Sequence, residues 1–376
     1  MDQFAPLLAA WRVQHVGPRE MIDAVVAPEH RGPSAELAGA LSDWPGIHYW
    51  LSHDHARLLL LRDSGVAPAQ RRIRHVVLFL LTVLCALGAG AMLAGTWVPW
   101  AGPGLGGAVA GAARFFIDVP LGTWREILPG WSFAIPLLTI LMCHELGHYL
   151  TARRYHIDAS WPYFLPVPPP LSPIGSLGAF IRLRSPVLDR RQLLDVGAAG
   201  PLAGFLVAIP VLLWGYSISV PAPGFHAVSG DYVSFAGQIV GLGDSVVTRL
   251  LRHWFFDDAT SLLLSLPAFA GWVGVFVTGL NLLPLSQLDG GHVLYGLLGK
   301  RQAAVGLATV AALVVLAQRS PSWYLWVVIA LFLGGGGWSH PAVVAPEWPV
   351  PASRRIVGWV CVLLFILTFV PVPFRV

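Results

Sequence analysis

Long apolar runs constrain this chain more than any other feature. Near 75–96, 131–152, 193–217, 261–284, 302–318, 323–338 and 355–372 the sequence is almost free of charge. Each run is close to the ~20 residues a helix needs to cross the hydrocarbon core of a bilayer. Of the 376 residues, 55% are hydrophobic and 12% charged, about half the ~25% charge of a soluble domain. The expected fold class is therefore an all-α polytopic membrane protein with about seven transmembrane helices. The lipid bilayer is its first partner. Net charge is +4, but no arginine run is interleaved with aromatics, so nucleic acid is not an expected partner.

The positive charge has a sidedness. Arg71, Arg72 and Arg74 precede the first span, and Arg153 and Arg154 follow the second. Arg182, Arg184, Arg190 and Arg191 lie between the second and third, Lys300 and Arg301 before the fifth, Arg354 and Arg355 at the last. Alternating spans put all of these on one side, which the positive-inside rule makes cytoplasmic, with the N-terminus inside and the C-terminus outside. No cleavable leader is visible before the first run, so residues 1–70 are expected to stay in place as a cytoplasmic segment. Within them Ser34–Leu41 and His55–Leu61 read as helical pieces, of either a small docking domain or a loosely packed extension. Residues 71–130 would carry the first span and an outer loop in which Ala101–Gly111 dips into the membrane, residues 131–300 the chemistry, and 301–376 further spans. Cys85, Cys143 and Cys361 all fall in spans and read as packed thiols, not a disulfide set.

The second span ends in Met142-Cys143-His144-Glu145-Leu146-Gly147-His148. On a helix, residues four apart share a face, so His144 and His148 can ligate one metal ion. Glu145 lies beside the first ligand, placed to take a proton from a water activated by that ion. Two histidines and a glutamate are costly in an apolar span, where ionisable residues mark function. His156, His292 and His340 stand singly and read as polar or interfacial. The fourth span runs into Asn281-Leu282-Leu283-Pro284-Leu285-Ser286-Gln287-Leu288-Asp289-Gly290-Gly291-His292. Pro284 cannot continue a regular helix, and irregular backbone at membrane depth must face protein or a water-filled cavity. That break lets Asp289, a hard oxygen ligand, turn toward the two histidines.

HExxH in one span and N-x-x-P-x-x-x-L-D-G in a later one together resemble the site-2 proteases, intramembrane zinc metallopeptidases of M50 type. Gly175–Arg182 and Asp195–Gly204, with Gly200-Pro201, are similar to the bacterial and plastid branch without a large soluble insertion. The resemblance covers roughly 130–300. It implies one Zn2+ per chain held by His144, His148 and Asp289, Glu145 as the catalytic residue, and a three-helix catalytic core at 131–152, 193–217 and 261–289. Many relatives carry Asn where this chain has Gly204, which removes an amide at that position. The implied activity is zinc-dependent endopeptidase cleavage of a transmembrane protein substrate, and the implied location a bacterial cytoplasmic membrane. The alternative is an inactive relative serving as a membrane scaffold or chaperone-like protein, against which the intact Glu145 argues.

Proteolysis needs an extended substrate, because a helix hides its carbonyls in its own hydrogen bonds. After the proline-rich Pro162–Pro170, Leu177–Leu183 reads as a short membrane-associated strand whose edge, at Gly178, Ala179 and Phe180, can pair with unwound substrate. A proline-stiffened loop is the plainer reading. Asn281 either hydrogen-bonds the substrate backbone or caps the break before Pro284.

Overall fold

The segment before the first span is a sheet with its own core. The computed structural model describes the chain apart from residues 1–2, 17–18, 53, 64–71, 99–103, 185–186, 223–229, 236–237, 258–259, 334–339, 341–342, 345, 347 and 376. Strands β1 (Leu8–Val16) and β2 (Arg19–Val26), helix α1 (Ala35–Ser42), and strands β3 (Ile47–Trp50) and β4 (Arg57–Asp63) form an antiparallel sheet of order β1-β2-β4-β3. Ser34 caps α1 by accepting from the Leu37 N–H. Residues 55–61, expected as helix, are instead largely the central strand β4. The reason is that both faces of Leu58–Leu61 are covered. Leu58 and Leu60 join Phe4, Ile22, Leu37 and Trp44 on one side, while Leu59 and Leu61 join Met21, Leu51 and Leu188 on the other. A strand buried on both faces is a continuous apolar run without period-two alternation.

The rest is mostly helical. In chain order come α2 (Arg72–Ala94), α3 (Gly104–Asp118), α4 (Trp124–Ile127) and α5 (Trp131–Arg154), then a hairpin of β5 (Tyr163–Pro166) and β6 (Ser176–Phe180). Next is α6 (Arg190–Ser217), followed by β7 (Val220–Pro221), β8 (Asp231–Phe235), β9 (Gln238–Leu242), α7 (Val246–His253) and β10 (Leu262–Leu263). Helices α8 (Leu266–Asn281), α9 (Asp289–Leu298), α10 (Gln302–Ala317), α11 (Ser322–Leu333) and α12 (Ala352–Thr368) precede β11 (Phe374–Arg375). Among the described residues, four helical stretches are long and apolar enough to cross a membrane: 72–94, 104–154, 190–217 and 289–317; Leu266–Asn281 is a shorter apolar helix. The expected dip at 101–111 is helix α3 from Gly104 onward, and residues 101–103 lie outside the described residues. Of the sixth predicted run, 334–338 also lies outside them.

The β5–β6 hairpin stands where a short β segment is expected, and the all-α remainder is corrected, among the described residues, by two more sheets: the N-terminal one and a five-stranded sheet of order β11-β9-β8-β10-β7. The last covers the ends of α6 and α8 remote from the arginine-rich end. The Tyr216 hydroxyl donates to Asp231 Oδ2 (2.7 Å) and the Trp272 Nε1–H to the Gly243 carbonyl (2.9 Å). The expected strand 177–183 is β6 to Phe180, with Leu183 bridging to Ala159.

Helices α5, α6 and α8 pack as a unit around Phe133, Leu137, Ile140, Leu141, Leu212, Trp272 and Val273. Their axes approach closely because glycines line the contacts. A methyl on Gly147 would lie 2.5 Å from the Ala199 carbonyl oxygen, and one on Gly271 2.7 Å from the Leu212 Cα. The basic residues gather at one end: Arg72 over the Trp161 ring, Arg191 over Tyr155, Arg354 Nε 3.1 Å from Asp195 Oδ2, and Arg190 donating to the Gly296 carbonyl.

Candidate metal centre

His144 and His148 lie one turn apart on α5, both buried, roughly 15 Å and 9 Å (ten and six residues at 1.5 Å each) from its end at Arg154. The third donor comes from the break after α8. That helix stops at Asn281, the chain turns through 282–288, and α9 begins at Asp289. The two glycines after Asp289 are required by how tightly the turn folds back. A methyl at Gly290 would sit 2.0 Å from the Leu282 carbonyl oxygen, and one at Gly291 2.2 Å from that of Ser286. The Asp289 carboxylate thus stands at a helix N-terminus, where the helix dipole favours negative charge.

Three atoms converge: His144 Nε2 to Asp289 Oδ2 is 3.2 Å, His148 Nε2 to the same oxygen 3.3 Å, and the two Nε2 atoms 3.1 Å apart. Donors placed ~2.05 Å from a tetrahedral ion stand roughly 3.3 Å from one another. The triangle has that size. His148 Nδ1 donates to the Val196 carbonyl oxygen at 2.7 Å, which fixes the tautomer and leaves Nε2 a bare lone pair, as metal-ligating histidines require. Lone pairs from three atoms at this spacing repel unless positive charge lies among them, and a divalent ion supplies it. Glu145, between the histidines in sequence, is 4% exposed. Its carboxylate lies beside the Ile181 backbone, and Oε2 has no hydrogen-bond partner. A buried carboxylate oxygen beside the triangle suits a proton acceptor for a water held there.

Asn281 Nδ2 lies 3.1 Å from His144 Nε2, so the amide stands at the site. Among the hairpin positions, Ala179 pairs with Phe164 and Phe180 with Tyr163 on β5. The Gly178 N–H is taken by Ser176 Oγ (2.9 Å), which leaves Ala179 as the position with backbone free of that contact. The strand reaches the centre at its end, through Ile181.

Two features go beyond the sequence reading, which named Gly200 and Gly204 through the family resemblance alone. The glycines of α6 are site residues by what they leave room for. A methyl at Gly200 would sit 2.0 Å from His148 Nε2, at Gly204 3.1 Å from His144 Cβ, and at Gly197 2.7 Å from His292 Cβ. Their helical spacing on one face was the available signal. Second, His292 and His340, expected to stand singly, pair with each other: Nδ1 to Nε2 is 2.8 Å.

Residues 132–318 match the family model described as Peptidase family M50. The chain is 31% identical over 294 residues to a protein of Arabidopsis thaliana named "Probable zinc metalloprotease EGY2, chloroplastic", covering 74% of this chain and 50% of that protein. It is 29% identical over 255 residues to the Arabidopsis "Probable zinc metalloprotease EGY1, chloroplastic" (65% of this chain, 44% of the other). Against the Oryza sativa subsp. indica "Probable zinc metalloprotease EGY3, chloroplastic" it is 27% identical over 298 residues (73% and 48%). The chain thus spans about half the length of the curated relatives it matches. These relatives are named as chloroplastic and lend no support to a bacterial cytoplasmic membrane. No solved structure matches.

Proposed function

The chain belongs to peptidase family M50 through residues 132–318, and from that premise we propose that it is a zinc-dependent endopeptidase cutting membrane-spanning proteins within the bilayer. The observation that carries the reading is the triangle of His144, His148 and Asp289, sized for a tetrahedral ion, with buried Glu145 beside it. His144, His148 and Asp289 would hold one Zn2+. When bound, the ion polarises the scissile carbonyl and acidifies a water.

The chain's own groups do the rest. Glu145 Oε2 accepts the proton of the attacking water and passes it to the leaving amide nitrogen. The Ile181 backbone lies against the carboxylate. Val196 keeps His148 in one tautomer. The Asn281 amide lies where it can reach the oxygen on which charge develops. Substrate is held as a strand on the open edge of β6. Backbone groups alternate between the two edges of a strand, so Ala179 shares the edge of Ile181, whose backbone lies beside Glu145. Substrate pairing at Ala179 therefore sets the scissile bond two residues from the base. The hairpin is anchored by α2, where His75 Nδ1 contacts the Pro162 carbonyl (3.2 Å) and its ring stacks on Tyr163.

In this reading α2, α5, α6, α8, α10, α11 and α12 are seven crossings with the hairpin dipping between them, the arginine-rich end faces the cytoplasm or its organellar equivalent, and the N-terminal sheet lies on that side. Zinc per chain in detergent-purified protein tests the site: about one in the natural sequence and a clear loss in Asp289→Ala are expected. No zinc in the natural protein, under conditions that do not strip it, removes the proposal.

A further inference from the structure

Beyond the proposed chemistry, a series of contacts among the described residues runs from the N-terminal sheet to the flanks of the third ligand. The sheet's second face is buried on the helical body. Met21, Leu51, Leu59 and Leu61 pack with Leu188, Val344 and Trp348, and the Trp348 Nε1–H donates to the Leu51 carbonyl oxygen at 3.1 Å. Leu188 directly precedes Asp189, the N-cap of α6. Upstream in the α11–α12 connection, Val344 N–H donates to Val187, and Val343 packs between Leu193 of α6 and Tyr295 of α9.

His340 then touches both flanks of Asp289. Its ring pairs with His292, three residues after the aspartate (2.8 Å), and lies against the Tyr295 ring. Its backbone N–H donates to Gln302 Oε1 (2.9 Å), and the Nε2 amide of the same buried glutamine donates to the Pro284 carbonyl (3.1 Å), in the turn before the aspartate. Asp289 is the first residue of its helix and follows a turn that contains Ser286 at φ +39°. Such a residue has little regular structure of its own to hold it, so contacts before and after it set its freedom.

We infer that His340 and Gln302 are positioning residues for Asp289, and that the N-terminal sheet, through Trp348, holds His340 in place. The sheet is then a brace whose docking tightens the third ligand, and anything that lifts it loosens the centre. This rests on the proposed metal site for its consequence, but not for its existence.

The test uses the full chain in nanodiscs, without added metal, and reads amide hydrogen exchange across 282–298. His340→Ala is expected to speed exchange there about tenfold while α5 and α2 stay unchanged. His340→Gln, which can still meet His292, is expected to stay near the natural rate. Trp348→Phe, losing the indole N–H and one ring's worth of packing at the sheet contact, is expected to move 282–298 in the same direction by less, and Trp11→Ser on the exposed outer strand not at all. In zinc-loaded protein, loss of the ion to a chelator is expected to follow the same order. Exchange in 282–298 within twofold of the natural protein in His340→Ala overturns the positioning role. If His340→Ala loosens every helix together, Trp348→Phe decides, and unchanged exchange there overturns the brace. A natural protein that holds no zinc defeats the proposed function, yet the metal-free exchange comparison still decides the brace.

Discussion

Replacing Gly200 with alanine should empty the metal centre without touching a ligand. The added methyl would lie 2.0 Å from His148 Nε2, 2.4 Å from Cε1 and 2.5 Å from Cδ2. Ordinary carbon contacts begin near ~3.5 Å, so about 1 Å or more of movement is needed. Either the imidazole moves or α5 and α6 part. The helices are held at backbone contact by Gly147 against Ala199, and close-packed interiors yield little. The ring therefore gives way, breaking the 2.7 Å bond to Val196 and displacing Nε2 from the triangle. Ligand distances tolerate only about 0.2 Å, and losing the outer hydrogen bond alone costs 10–100-fold in affinity. Zinc affinity should thus fall at least ~100-fold. Competition with a fluorescent chelator on size-exclusion-purified protein measures it. Gly204→Ala is the comparator: its methyl would meet His144 Cβ at 3.1 Å, a contact relieved by a few tenths of an ångström, and affinity should change by no more than about threefold. A Gly200→Ala protein that folds and binds zinc as the natural one does would refute the placement of His148.

Glu145→Gln should keep zinc and lower turnover by roughly 10²–10⁴; loss of the metal along with activity would instead make the residue structural. Asn281→Ala should reduce kcat by up to ~10²-fold with little change in KM, and near-normal turnover would remove the amide from the mechanism. Ala179→Pro should abolish cleavage of a membrane reporter while leaving zinc content intact, because proline has no N–H for strand pairing. Outside the membrane, burial raises Asp231 to about 6 despite the Tyr216 hydroxyl and Arg252 beside it, with Asp244 adding to the rise. With its folded pKa above the unfolded value, the native state holds the extra proton between about pH 4 and 6, and stability falls as pH rises through that window. Melting temperature in detergent should therefore be lower at pH 7 than at pH 5, and Asp231→Asn should flatten that slope.

The candidate site was legible where chemistry is local in sequence. His144 and His148 meet because helical periodicity brings residues four apart together, and Pro284 announced the break that turns Asp289 inward. What was not legible depends on packing between distant segments. Gly200 and Gly204 were marked only by the family resemblance, and what they and Gly197 leave room for comes from what stands opposite. His292 and His340 are 48 residues apart in sequence and looked solitary. The N-terminal sheet was missed because Leu58–Leu61, covered on both faces, lacks the alternation by which a strand is recognised. The five-stranded sheet is built from pieces of two to five residues, too short to carry a pattern.

The most direct test of the central claim is cleavage of a single-span reporter by the purified protein in proteoliposomes, run with chelator and then with zinc restored. The account predicts a cut within the reporter's membrane segment that chelation stops, zinc restores and Glu145→Gln lacks. Cleavage indifferent to chelator, or equal in Glu145→Gln, would contradict it.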